Sequence, residues 1–125
     1  MKRILIVLLA VFSFSTIQAQ TYKNEAAEAF KASISKDTIQ LVDVRTPGEY
    51  AQGHLKGAIN INLKQAEFVA QVGKTVDKKQ TVYVYCRSGS RSAYASKILS
   101  QAGFIVVNLS GGILGWQRAQ YPIEK

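Results

Sequence analysis

Thr81-Val82-Tyr83-Val84-Tyr85-Cys86-Arg87-Ser88-Gly89-Ser90-Arg91-Ser92 passes from one kind of chain to another within a dozen positions. Thr81 to Tyr85 is β-branched or aromatic throughout, the composition of a central strand covered on both faces. Beyond the loop, Ala95, Ile98, Leu99 and Ala102 recur at i, i+3, i+4 and i+7, one face of a helix, and Gly103 supplies its stop. A thiol therefore sits where a buried strand ends, followed by small residues and two arginines, ahead of a helix N-terminus.

Outward from this segment the alternation continues. Ala26, Ala27, Phe30 and Ile34 share a helical face, and Ile39 to Val44 is an apolar strand ending in a turn at Thr46-Pro47-Gly48. Gly53 and Gly57 bracket a second turn before a short strand over Ala58 to Ile61. Asn62 with Gln65 resembles a capping box opening a helix that ends near Gly73. After a charged loop from Thr75 to Gln80 comes the strand already described. Phe104 to Leu109 is the next strand, Ser110 caps a last helix through Ile113 and Trp116, and Pro122 closes the domain. Strand and helix in alternation predict an α/β layer with a mainly parallel sheet. In such sheets ligands bind beyond the carboxyl ends of the strands, where Cys86 lies.

The chain opens as an address. Lys2 and Arg3 are basic, Ile4 to Phe14 is apolar apart from Ser13, and Ile17-Gln18-Ala19 ends on a small residue. Residues 1–19 are expected to be a secretory signal peptide, since the apolar run is shorter than the roughly 20 residues that span a bilayer. Residues 20–125 then form one domain, exported, in the periplasm of a Gram-negative envelope, without stable membrane insertion after cleavage. The formal charge of +8 falls to +6 without Lys2 and Arg3. That excess favours anionic ligands, but the lysines are scattered without interleaved aromatics, so no nucleic-acid partner is expected. Cys86 is the only cysteine and cannot form an internal disulfide, which leaves a buried bystander, an intermolecular partner or a reactive thiol.

Its neighbours favour reactivity. Free N–H groups at a helix start carry partial positive charge, Ser88, Gly89 and Ser90 let the backbone curl, and Arg87 and Arg91 add two full charges. Together they are expected to lower the thiol pKa and hold a thiolate near neutral pH. His54, the one histidine, lies in a glycine-bracketed turn where a backbone hydrogen bond suits it better than catalysis. One Cys and one His do not make a zinc site, and neither metal nor cofactor is expected.

Three segments in order resemble the rhodanese family, over nearly the whole of residues 20–125. They are Leu41-Val42-Asp43-Val44-Arg45-Thr46-Pro47-Gly48-Glu49-Tyr50 with Gly53-His54-Leu55-Lys56-Gly57-Ala58-Ile59-Asn60, then Cys86 to Ser92, then Gly103-Phe104 with Asn108-Leu109-Ser110-Gly111-Gly112-Ile113 and Gly115-Trp116. The resemblance implies a five-stranded parallel sheet flanked by helices. It also implies a thiosulfate-type sulfurtransferase in which Cys86 carries sulfur as a persulfide and Arg87, Ser88, Gly89, Ser90, Arg91 and Ser92 form the substrate cradle. The donor would be a small anion, and the acceptor a thiol or cyanide, with a thioredoxin-like protein as one candidate. Asp43 and Arg45 are either supporting residues near the loop or a structural pair at a strand end. Two rivals stand beside this reading. A cysteine phosphatase loop has one residue more between Cys and Arg than separates Cys86 from Arg91, and no aspartic acid close to the loop offers itself as the acid. A non-catalytic rhodanese-like binding module would have no need of Cys86.

Overall fold

The computed structural model describes residues 21–36 and 38–125. The signal-peptide reading falls on residues outside these. Among the described residues, five strands and five helices follow in the order β1 (Lys23–Glu25), α1 (Ala27–Ile34), β2 (Gln40–Asp43), α2 (Pro47–Gln52), β3 (Ile59–Asn60), α3 (Phe68–Thr75), β4 (Val82–Tyr85), α4 (Ser90–Gln101), β5 (Val106–Leu109) and α5 (Gly112–Arg118). The sheet order is β1-β5-β4-β2-β3 and every pairing is parallel. The α/β reading and the five-stranded parallel sheet hold.

Alternation along each strand divides the core in two. Val82, Val84 and Cys86 join Val42, Val106, Ala95, Leu99, Phe68 and Val72 on one face, beneath α3 and α4. Leu41, Tyr85, Val107 and Leu109 join Phe30, Ile113 and Trp116 on the other, beneath α1 and α5. The centre of the sheet is thus covered on both sides, as its composition requires. Helix α4 ends in a Schellman motif: Gly103 takes φ +98°, its N–H donates to Ser100 O, and Phe104 N–H donates to Leu99 O.

Three local expectations need correction. The turn at Thr46-Pro47-Gly48 is the start of α2, where Thr46 Oγ1 accepts from Glu49 N–H and Glu49 Oε1 from Thr46 N–H, a capping box with Pro47 in the first turn. Conversely, Asn62 opens no helix: its Oδ1 accepts from Lys64 N–H two residues on, the local turn asparagine favours, and α3 starts only at Phe68. Ser110 caps nothing, since its hydroxyl donates to Glu25 O beside the first strand. That strand, β1, is short and polar, and only its pairing with β5 makes it a strand.

With β2 and β5 flanking β4 in parallel, the segments leaving the carboxyl ends of all three strands meet at one edge of the sheet. The loop that carries Cys86 is the middle one.

Candidate active site

Cys86 is 1% exposed, and its sulfur lies inside the curl of its own loop. Gly89 N–H donates to Sγ at 3.1 Å and the Ser92 hydroxyl reaches it at 3.4 Å. Burial pushes the thiol pKa up. The Ser92 hydroxyl and the backbone N–H groups of Ser92, Gly89 and Ser88 outweigh it and hold the thiol below its ordinary value. The expected direction is right, and the donors on the sulfur do most of the lowering, with the Arg91 charge also attracting the thiolate.

Arg91 is the clearest case. Its guanidinium forms a bidentate pair with Glu49, Nη1 to Oε1 at 2.7 Å and Nη2 to Oε2 at 2.8 Å. Glu49 is held at a pKa of about 2, first by Arg91, against the opposing effect of burial, and then by the backbone and hydroxyl of Thr46. Arg91 is therefore half-buried and paired with a carboxylate. Arg87 has no carboxylate partner among the described residues and is exposed, as are Ser88 and Ser90. Together with Glu49, Gln52, Ile113 and Gln117, Arg87 borders a cavity of about 250 Å³ beside the loop. A larger hollow, lined by Thr21, Tyr22, Thr81 and Phe104 among others, involves no residue of the loop.

The loop backbone is aimed by the segment after β5. Ile113 N–H donates to Cys86 O at 2.9 Å and Leu114 N–H to Arg87 O at 3.1 Å. These are first-turn amides of α5, which have no partner within their own helix. A trans peptide sets its C=O and the next N–H in opposite directions. Holding the Arg87 carbonyl toward α5 therefore turns Ser88 N–H the other way, toward the sulfur. The contact is close: a Cβ on Gly112, at φ +64°, would run into Arg87 O, and one on Gly89, at φ +112°, into Ser110 O.

Asp43 and Arg45 are buried beneath the loop and make no hydrogen bond to the sulfur. Asp43 accepts from Arg45 N–H at 3.0 Å, from Arg45 Nε at 2.9 Å, from Arg45 Nη2 at 2.6 Å and from the Tyr85 hydroxyl at 2.7 Å. Arg45 Nη2 also donates to Gly53 O and Tyr85 Oη accepts from Leu55 N–H. The pair thus ties the turn at residues 53–55 to the strand end just before the thiol. His54 lies with Nδ1 3.0 Å from Tyr50 O, the backbone contact expected for it. Sequence reasoning missed Glu49, Tyr85 and the α5 amides. The T-x-x-E pattern at Thr46 could have flagged Glu49, whereas nothing local marks the other two.

Comparison with known proteins bears on the fold and the family. The chain is 44% identical over 73 residues to the thiosulfate sulfurtransferase PspE of Escherichia coli, covering 58% of this chain and 68% of that protein. It is 39% identical over 88 residues to a sulfurtransferase of Allochromatium vinosum, covering 70% and 79%. Among solved structures, a rhodanese-related protein of Thermoplasma volcanium superimposes with a TM-score of 0.72 at 30% identity, covering 82% of this chain and 98% of that one. The profile of the rhodanese-like domain matches residues 26–119, and with the fold and the relatives in agreement the chain belongs to the rhodanese-like family.

Proposed function

We propose that this protein is a sulfurtransferase that moves a sulfane sulfur from a small anionic donor such as thiosulfate to a thiol or cyanide through a persulfide on Cys86. The observation that carries the reading is the set of donors on the sulfur, Gly89 N–H at 3.1 Å and Ser92 Oγ at 3.4 Å, around the chain's one thiol. A thiolate held by donors needs no general base at the moment of attack. The Cys86 thiolate attacks the outer sulfur of thiosulfate, the sulfur–sulfur bond of the donor breaks with its electron pair leaving on sulfite, and the new sulfur remains on Cys86 as a persulfide anion. One negative charge stays in the loop before and after, so the same N–H groups serve both states. Arg87 to Ser92 line the path of the donor, with the exposed Arg87 guanidinium placed to meet its negative end. Asp43 and Arg45 support the loop from below. The rest of the proposal is that residues 1–19 direct export to the periplasm and that an external thiol, carried by a thioredoxin-like protein or a small molecule, takes the sulfur.

No second cysteine can resolve the persulfide, so it should accumulate. Incubation of residues 20–125 with thiosulfate and no acceptor should add the mass of one sulfur atom, released by cyanide as thiocyanate, and Cys86→Ser should show neither event. An unchanged mass with both thiosulfate and a thiosulfonate would refute the reading. Efficient hydrolysis of aryl phosphates would replace it with the phosphatase.

A further inference from the structure

The loop carries more formal charge than it presents. Of its two arginines, Arg91 is clasped by Glu49 through both terminal guanidinium nitrogens, at 2.7 and 2.8 Å, and Glu49 is itself fixed by Thr46 N–H and Thr46 Oγ1, each 3.1 Å from Oε1. Glu49 lies at the third helical position of α2, just after β2, and Arg91 in the first turn of α4, just after the reactive loop. The pair therefore bridges two of the three segments that meet at the carboxyl edge of the sheet. Arg91 immediately precedes Ser92, whose hydroxyl touches the sulfur. A carboxylate beside an anion-binding loop works against binding unless it has another task, and its four contacts define that task.

Resting on the sulfurtransferase reading of Cys86, we propose that Glu49 is a positioning residue that holds Arg91 against the loop and offsets most of its charge. The cradle is left with one uncompensated guanidinium, Arg87, to greet the anionic donor. Two free guanidinium groups would bind thiosulfate more tightly and also retain the sulfite dianion that must leave. With the pair intact, attraction is enough to recruit the donor and weak enough to release its product. Glu49 touches neither sulfur nor donor and acts through Arg91.

Glu49→Gln isolates the charge, because glutamine serves at this position of a capping box as glutamate does, so α2 keeps its start. The probe is the ratio of Cys86 alkylation rates with iodoacetate and iodoacetamide at fixed pH, which differ in one negative charge and require no sulfur transfer. Glu49→Gln should raise that ratio about threefold to tenfold at low salt, the effect of one newly unbalanced charge near the surface, and the gain should shrink as salt is added. Thiosulfate KM should fall together with kcat. Glu49→Asp should return the ratio toward the wild-type value, and the double variant Glu49→Gln with Arg91→Gln should match wild type. A ratio unmoved by Glu49→Gln, or a double variant as high as the single one, overturns the proposal. Should wild-type protein accept no sulfur from thiosulfate while the ratio follows the expected order, the clamp stands and the donor assignment falls.

Discussion

Replacing Ser92 by alanine removes one donor from the Cys86 sulfur and almost nothing else. Ser92 is buried on α4, alanine is the better helix former there, and the Gly89 carbonyl that shares its hydroxyl keeps the Ala93 N–H at 3.0 Å. A hydrogen bond to a charged acceptor contributes about 1.5 to 3 kcal/mol. At 3.4 Å, and shared with Gly89 O at 3.2 Å, this one belongs at the low end. About 1.4 kcal/mol corresponds to one pKa unit, so the thiol pKa should rise by about one unit. Below the pKa the thiolate population then falls about tenfold, while each thiolate becomes about threefold more nucleophilic. Iodoacetamide should therefore react about threefold more slowly with Ser92→Ala at low pH and faster than wild type at high pH, the two profiles crossing. Ser90→Ala, on an exposed residue two positions earlier, should leave the profile in place. If the midpoint for Ser92→Ala stays put or moves down, the donors on the sulfur are not what lowers its pKa.

Two further outcomes follow from the geometry. Gly112→Ala forces a Cβ into Arg87 O at a positive φ, so we expect a loss of about 2 to 4 kcal/mol in denaturant melts; in the folded fraction, misaimed Ser88 and Gly89 amides should raise the Cys86 pKa, read by the same alkylation profile. Glu49 has its folded pKa lowered to about 2 from 4.5, so the stability it contributes is fully present above pH 4.5 and lost as pH falls toward 2. Wild type should exceed Glu49→Gln by about 1 to 2 kcal/mol at pH 6, allowing for solvent screening, and the gap in thermal or urea melts should close toward pH 2.

Where sequence and structure agree, the information is local. The β-branched run before Cys86 and the helical spacing after it need no distant partner to be recognised, and neither does Gly103. Cys86 itself stood out because a lone thiol, a Gly-Ser loop and a helix start fall within a few residues. The departures are of two kinds. Thr46-Pro47-Gly48-Glu49 and Asn62 to Gln65 both satisfy a capping pattern, and only tertiary packing decides that the first opens a helix while the second makes a turn. β1, Tyr85 and Glu49 acquire their roles from residues 84, 42 and 42 positions away in sequence, distances over which composition carries no signal.

The misplaced weight on the arginines has the same origin. Counting charges within six residues of Cys86 gives two cations, and in isolation both would stabilise a thiolate. In the fold one is paired with Glu49 and the other faces solvent, so the stabilisation rests chiefly on the Ser92 hydroxyl and on amide dipoles whose direction is fixed elsewhere. Ile113 and Leu114 hold the Cys86 and Arg87 carbonyls, planarity turns the next N–H groups back toward the loop interior, and Gly112 permits the approach. In the proposed transfer, dipoles fixed in this way would need little reorganisation as negative charge passed from the thiolate to the outer sulfur. A mobile guanidinium would follow the departing sulfite instead. The proposed reaction would then separate the roles: neutral donors for the charge that stays, one exposed cation for the charge that comes and goes, and a carboxylate to keep the second cation from joining it.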